Sequence, residues 1–174
     1  MKYISLLRGI NVGGNRKVEM KRLKSLFESM GFADVNTYLN SGNVFFSTGE
    51  KRNSLQKEIN LKLKDEFGFE IQTLVKSQAE IINIVKAVPD TWQNDSDQKT
   101  DVAFLFDEID SAETIDVLPV KKEFIDIRYV KGAIFWNIDR KLYNRSQMNK
   151  LASHRIYQLM TVRNINTARY LAEN

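Results

Sequence analysis

The sequence predicts an α+β protein whose first lobe has the ferredoxin-like order β-α-β-β-α-β. A smaller β-α-β-β lobe with C-terminal helices is predicted to pack on it. Short runs rich in β-branched and aromatic residues alternate with segments of helical spacing. A hairpin signal, Asn40-Ser41-Gly42, separates two of these runs. The polar, turn-rich stretch 89–100 predicts a boundary between lobes 1–88 and 89–174, which we expect to form one compact unit.

Elements of the first lobe are predicted from strand-like runs and from two apolar helical stripes. One stripe ends at Met30 and the other at Phe67, and each is followed by a glycine, Gly31 or Gly68, that can stop a helix. In chain order the predicted elements are strand 2–7, helix 20–30, strands 35–39 and 43–48, helix 54–67 and strand 69–75.

A third helix is predicted to begin at Ser77, where Glu80 completes a capping box, and to end before Pro89. Beyond the turn-rich stretch, Lys131 and Gly132 turn a second hairpin. The predicted elements there are strand 101–106, a short helix 111–117, strands 123–130 and 133–138, and short helices from about residue 146.

Composition excludes several classes of protein and site. The chain is 43% hydrophobic and 28% charged, as in ordinary globular proteins, and no apolar run reaches the roughly 18 residues of a membrane span. We therefore expect a cytoplasmic protein without a membrane partner. The absence of cysteine excludes thiolate metal sites, disulfides and thiol nucleophiles. With His154 as its single histidine, the chain is expected to hold no metal and no cofactor, and the sequence offers no catalytic constellation.

Charge is distributed unevenly along the chain. The net charge is +5 over residues 1–88 (14 basic, 9 acidic), −7 over 89–130 (4 basic, 11 acidic) and +6 over 131–174 (8 basic, 2 acidic). If the basic ends meet in the fold, they form a positive face suited to phosphate-bearing ligands. Alternatively, these charges lie on separate solvated faces and partly neutralise one another.

A glycine-rich loop, RGINVGGNRKVE at residues 8–19, follows the first strand. Gly9 and Gly14 have the spacing of the P-loop glycines. However, Asn15 and Arg16 stand where a P-loop has its lysine and its magnesium-binding hydroxyl. Nucleotide hydrolysis of the P-loop type is therefore disfavoured.

A more general prediction survives for this loop, namely anion binding. Backbone amides at Gly13 and Gly14 can approach an anion closely, and the next helix points its positive end at the loop. Arg8 and Lys17 add positive charge. The alternative is a tight turn in which the glycines permit positive φ and the asparagines, Asn11 among them, bond to local backbone.

The predicted topology brings a second polar segment to the same place. In a ferredoxin-like sheet the first and third strands are antiparallel neighbours, so the end of the first at Arg8 lies beside the start of the third at Asn43. The Ser41-Gly42-Asn43 turn and the glycine-rich loop are therefore expected to share one end of the sheet. Ser41 and Asn43 would there add directional hydrogen bonds to an anion.

A third polar segment, TVRNINT at residues 161–167, lies near the C-terminus. Asn164 is predicted to cap the last helix, and Thr161 or Thr167 to satisfy nearby backbone groups. Arg163 could grip a carboxylate or phosphate with its planar fork, or form a salt bridge with the acidic middle segment. We expect Arg163 to close the anion site if the C-terminal helix packs there.

The motifs RGINVGGN, YLNSGNVFF and TVRNINT resemble, in order and spacing, a bacterial family known only as domain of unknown function number 1697. The resemblance spans nearly the whole chain. It implies a two-lobed α+β protein with a ferredoxin-like first lobe, and no established activity, substrate or cofactor. Many members carry a tryptophan where this chain has Ile165, so its ligand choice can differ. The recurrent polar residues that the resemblance implies are Arg8, Asn11, Gly13, Gly14, Ser41, Gly42, Asn43, Thr161, Arg163, Asn164 and Thr167.

The leading functional prediction is a protein that binds an anionic ligand, either a nucleic acid or a phosphorylated small molecule, at loops 8–17 and 40–43. Two alternatives stay open: a metal-independent enzyme acting on a small polar metabolite, and motifs that serve only as structural clasps between the lobes. Catalytic residues, oligomeric state and natural ligand are not identified by the sequence. The candidate ligand-binding residues are Arg8, Asn11, Gly13, Gly14, Asn15, Lys17, Ser41, Gly42, Asn43, Arg163, Asn164 and Thr167.

Overall fold

The computed structural model describes residues 1–174, except for the side chain of Asn53, and contains two four-stranded antiparallel sheets with several helices. The predicted two-lobed α+β class is confirmed. Contacts divide the chain into a first unit, Met1–Gln78, and a second unit, Ala79–Asn174, whereas the turn-rich stretch places the predicted boundary after residue 88. None of the described helices is both long and apolar enough to cross a bilayer.

The first unit alternates strands with two helices. Its sheet has the order β2-β3-β1-β4, and all neighbouring strands are antiparallel. β1 is central, so its C-terminal end lies beside the start of β3, where Leu6 pairs with Asn43. The elements are β1 (Lys2–Leu7), α1 (Met20–Ser29), β2 (Ala33–Tyr38), β3 (Asn43–Ser47), α2 (Arg52–Phe67) and β4 (Thr73–Ser77).

The core of the first unit forms where α1 and α2 pack on one face of this sheet. Phe46 of β3 is fully buried, and its ring centroid lies 4.7 Å from that of Phe32 and 5.4 Å from that of Phe27. Leu23 and Leu55, from the two predicted helical stripes, are buried in the same cluster. Burying each such side chain contributes roughly 1.5–3 kcal/mol. The helices are thereby fixed on the sheet, which sets the position of the loops at its end.

The second unit repeats this strand order, as β6-β7-β5-β8, again with antiparallel neighbours. Each sheet has an equivalent hydrogen bond at one turn. In the first unit the Leu7 amide donates to the Gly42 carbonyl at 2.8 Å, and in the second unit the Leu105 amide donates to the Gly132 carbonyl at 2.9 Å. The elements are α3 (Gln78–Ala87), β5 (Gln98–Leu105), β6 (Asp126–Val130), β7 (Ala133–Asp139), β8 (Met160–Asn164) and α4 (Ile165–Glu173).

The C-terminal third differs from the predicted run of short helices. Two 3-10 segments, Met148–Ser153 and Arg155–Leu159, precede β8. The TVRN part of the TVRNINT motif belongs to β8 and is therefore a strand. The physical reason is pairing: β8 adds to the edge of β5, with Val162 opposite Ala103. A five-residue strand of this kind carries too short a period-2 signal to stand out in a sequence.

Further predicted elements change in extent or type. The strand predicted over residues 123–130 begins at Asp126, because Lys122–Phe124 forms a 3-10 segment. The strand predicted over residues 69–75 begins only at Thr73. Thr73 pairs with Leu7, the last residue of β1, and the chain after Leu7 turns away at Gly9, so residues before Thr73 have no strand to pair with. The helix predicted at 111–117 is a 3-10 segment, Ala112–Val117.

The hairpin between β6 and β7 is held by Asp110. Its side chain is 4% exposed and accepts hydrogen bonds from the Tyr129 hydroxyl at 3.0 Å and the Gly132 amide at 2.8 Å, and Lys131 Nζ lies 2.7 Å away. Burial alone would raise the pKa of Asp110, but the bonds from Lys131, Gly132 and Tyr129 outweigh burial and lower the pKa below its ordinary value. The charged carboxylate therefore stabilises the folded chain.

We expect Asp110→Asn to lower the free energy of unfolding at pH 7 by about 1–2 kcal/mol. Because the folded-state pKa is lowered, this stabilisation is present above the unfolded-state pKa of 3.8 and is lost as pH falls through the folded-state value. Urea unfolding of wild type and variant at neutral pH and at about pH 3 measures the difference, which should shrink in acid. Asp97→Asn, at an exposed aspartate of the same unit, is the matched control. An equal difference at both pH values would contradict the assignment.

Candidate functional site

The two polar loops of the first unit lie at one end of its sheet. The Leu7 amide at the end of β1 donates to the Gly42 carbonyl just before β3, and the Arg8 amide donates to the Gln72 carbonyl at 2.9 Å. The Arg8 side chain is half-buried. Loop 8–17 and loop 40–43 are therefore neighbours in space, as the predicted strand adjacency requires.

Asn11 ties the two loops together. Its Oδ1 accepts from the Val18 amide at 2.8 Å, and its Nδ2 donates to the Val18 carbonyl at 2.9 Å and to the Asn40 carbonyl at 2.8 Å. Asn11 has φ +54°, a conformation that asparagine tolerates better than most residues do. Its amide is thus engaged within the unit and shapes the loop.

The Ser41-Gly42-Asn43 turn is also bonded internally. Asn43 is buried, and its Nδ2 donates to the Tyr38 carbonyl at 2.8 Å and to Ser41 Oγ at 3.1 Å. Gly42 has φ +76°, and a Cβ built on it would lie 2.6 Å from Leu7 Cβ. These contacts explain the residue types in the turn without a ligand.

The outer part of the glycine-rich loop faces solvent. Gly13, Gly14, Asn15 and Lys17 are exposed, and no atom lies within 4 Å of a Cβ built on either glycine. Arg16 is engaged elsewhere: its Nη2 donates to the Glu70 carbonyl, and its guanidinium lies over the ring of Phe69 at 5.2 Å. Lys17, by contrast, is the exposed lysine of this loop.

An open cleft of about 540 Å³ separates this loop from the start of α1. Its lining combines the two loops with the first helical residues and carries two lysines and one glutamate. Glu19, at the helix start, makes no capping hydrogen bond with its side chain. The lining residues are Asn11, Gly14, Lys17, Val18, Glu19, Met20, Lys21 and Asn40.

Strained backbone occurs in and beside the two loops. Among the described non-glycine residues, five have left-handed φ; two of them lie in loop 8–17, Asn11 at +54° and Arg16 at +52°, and a third, Leu39 at +57°, directly precedes loop 40–43. For a bulky side chain such as that of Leu39 this conformation is a genuine outlier. Residues held in such conformations cost free energy and tend to cluster at binding sites.

The C-terminal candidate residues form a second group at the junction of β8 and α4. Asn164 Oδ1 accepts from the Thr167 amide at 2.9 Å, which confirms the predicted helix cap. Arg163 is buried; its Nη1 donates to Thr161 Oγ1 at 3.0 Å and to the Val162 carbonyl at 2.9 Å. Removal from water lowers the pKa of Arg163 to about 10. Closure of the first-unit site by Arg163 stays a prediction.

Sequence comparison places the chain among known proteins. The family described as "Protein of unknown function (DUF1697)" matches residues 1–136. The chain belongs to the DUF1697 family. A solved structure, that of the conserved bacterial protein SP0830 from Streptococcus pneumoniae, is 25% identical and superposes with a TM-score of 0.83. The similarity covers 99% of this chain and 97% of the other, while no curated protein matches.

Two of the three motifs that suggested DUF1697 membership fall inside the matched region, and TVRNINT lies beyond it. Lys21 also lines the cleft but was not predicted, and Asn40 was predicted only as part of loop 40–43. A signal for Lys21 exists, because it falls in the first turn of the helix that follows the loop. The Asn40 carbonyl accepts from Asn11 Nδ2, and the partner of a backbone carbonyl cannot be inferred from the residue type.

Proposed function

We propose that this DUF1697 protein binds a phosphate-bearing anion in the cleft between loop 8–17 and the start of α1. The observation that carries the proposal is the lining of that cleft: Lys17 and Lys21 border it together with the exposed backbone of Gly14. Glu19 is the acidic residue in the lining, so positive charge exceeds negative charge. A concave positive surface attracts anions and raises their local concentration.

The helix start supports the same ligand class. α1 begins at Met20, has no acidic residue in its first turn and receives no side-chain cap from Glu19. The first amides of a helix lack partners inside the helix and carry the positive end of its dipole. A phosphate group in the cleft would accept hydrogen bonds from such amides, as anions do at many helix starts.

The candidate residues divide into two roles under this proposal. Gly13, Gly14, Asn15 and Lys17 are exposed and would contact the ligand, with Arg8 adding charge at the end of β1. The remaining first-unit candidates shape the loops through bonds to backbone, and these are Asn11, Ser41, Gly42 and Asn43. The strained backbone at Arg16 and Leu39 fits a loop held in one conformation for binding.

We expect the double variant Lys17→Ala, Lys21→Ala to weaken binding of labelled single-stranded RNA and DNA at low salt by about tenfold or more. Each lost phosphate contact should also reduce the slope of log affinity against log salt by about 0.7. Fluorescence anisotropy at about 50 and 200 mM salt measures both quantities. Lys57→Ala, at an exposed lysine of α2 that does not line the cleft, is the matched control.

A parallel titration with pyrophosphate separates the two sources of phosphate. If a phosphorylated small molecule is the ligand, pyrophosphate should raise the melting temperature of wild type in a concentration-dependent way and leave the double variant unchanged. If nucleic acid is the ligand, only the anisotropy signal should respond. Failure of both titrations at low salt, or equal loss in the Lys57 control, would overturn the proposal. Thermal-shift screening with uncharged polar metabolites tests the enzyme alternative.

A further inference from the structure

The second unit contains a pocket of about 390 Å³ between its sheet and the 3-10 segments that cover one face. Asp101 pairs with Trp136 on β7 and with Asn164 on β8, so these three residues form one row across the floor. Met148 and Leu151, from the first 3-10 segment, line the pocket and share a core cluster with Trp136. Small-molecule sites typically have volumes of roughly 300–1,000 Å³.

One of the lining residues, Trp136, has a buried and unsatisfied donor. Trp136 is 2% exposed, and its indole Nε1 has no hydrogen-bond partner among the described residues. A buried indole N–H usually finds an acceptor, and leaving one unpaired destabilises the folded chain. Since an indole N–H can only donate, what this position lacks is an acceptor.

Charge in the lining favours a ligand with one negative charge. Lys99 Nζ lies 2.9 Å from a carboxylate oxygen of Asp101, whose side chain is 8% exposed, so this pair is internally neutral. Arg140 also lines the pocket, held by bonds from its Nε to the Asp95 carbonyl at 2.6 Å and from its Nη2 to Asn94 Oδ1 at 3.1 Å. Within the lining, one net positive charge therefore remains on Arg140, whose Nη1 is not used by these two bonds and can donate to a carboxylate.

We infer that the second-unit pocket binds a small organic monocarboxylate. The carboxylate oxygens accept hydrogen bonds from Arg140 and, after a shift of the side chains that cover it, from the buried indole N–H of Trp136. The apolar body of the ligand lies against Met148, Leu151 and Val162, so the pocket favours an organic ligand over an inorganic anion. The site is separate from the proposed phosphate cleft in the first unit, and each can be tested alone.

Benzoate is a suitable probe, because it combines one carboxylate with a flat apolar body. In a ¹H–¹⁵N spectrum the two tryptophans give two indole signals, which Trp136→Phe assigns. Benzoate, added to about 20 mM because so small a ligand binds weakly, is expected to shift the Trp136 signal and to leave that of Trp92 in place. Benzamide, which is neutral and of the same shape, and inorganic phosphate should each cause a shift at least about fivefold smaller.

Two variants with opposite expected effects distinguish a change in binding from misfolding. Arg140→Gln should weaken benzoate binding about tenfold, whereas Lys141→Gln, at the exposed neighbouring residue, should leave it unchanged. Asp101→Asn frees Lys99 from its carboxylate partner and should strengthen benzoate binding by about threefold or more. A gain of affinity cannot arise from loss of structure. The inference is overturned if the Trp136 signal does not move, if benzamide moves it equally, or if Asp101→Asn weakens binding in a folded protein.

Discussion

Gly42→Ala is expected to lower the free energy of unfolding by about 3 kcal/mol. Gly42 has φ +76°, where any residue with a Cβ is strained. The added methyl would also lie 2.6 Å from Leu7 Cβ and 2.8 Å from Ile10 Cδ1. The end of the Ile10 side chain can rotate away, but Leu7 Cβ is fixed to the central strand, so relief requires moving β1 against β3.

Gly13→Ala is the matched control for this substitution. Gly13 has φ +60°, but a Cβ there meets no atom within 4 Å. Gly13→Ala should therefore lower the free energy of unfolding only by the cost of the left-handed conformation, about 1 kcal/mol. Chemical unfolding of both variants separates close packing from backbone strain. Equal losses in the two would show that the approach of Gly42 to Leu7 has no energetic weight.

The elements of the first unit were predictable because their signals are local. The stripe through Leu23 and Phe27 predicts α1 from spacing alone, and both residues are buried on the sheet. The convergence of the two polar loops followed from strand adjacency, since the end of β1 and the start of β3 meet in any sheet with this pairing. The first inference needs only local spacing, and the second needs only the strand order of the predicted topology.

The roles of the polar residues were not predictable in the same way. Asn11 and Asn15 are the same residue type in one loop, yet the Asn11 side chain bonds to both loops, whereas that of Asn15 is exposed to solvent. Asp101 was predicted to begin a strand, but its spacing does not reveal that its side chain is buried beside Lys99. The partners of each side chain are set by tertiary position, which a pattern along the chain does not contain.

The second-unit pocket had no sequence signal for a related reason. Its lining is drawn from separate segments between Asn94 and Asn164, so no single stretch of sequence contains the site. Trp136 falls in the predicted strand 133–138 and is buried. Only the coordinates reveal that its indole nitrogen lacks a partner among the described residues.

Asn11→Ala is expected to lower the free energy of unfolding by about 2–3 kcal/mol. The substitution removes the acceptor of the buried Val18 amide and the donor to the Val18 and Asn40 carbonyls, and places alanine at φ +54°. Asn11→Asp keeps the acceptor for Val18 but turns a carboxylate oxygen toward both carbonyls. It should therefore be at least as destabilising at pH 7, and less so in acid, where the protonated oxygen can donate again.

Asn15→Ala is the control, because the Asn15 side chain is exposed in the same loop, and its free energy of unfolding should stay within about 0.5 kcal/mol of wild type. Measuring phosphate binding in the same variants then distinguishes a residue that positions the loop from one that contacts the ligand. If Asn11 only positions the loop, Asn11→Ala loses stability and affinity together, whereas Asn15→Ala loses affinity alone. Full stability in Asn11→Ala would contradict the loop-tying role, because three hydrogen bonds between described residues would then carry no net free energy.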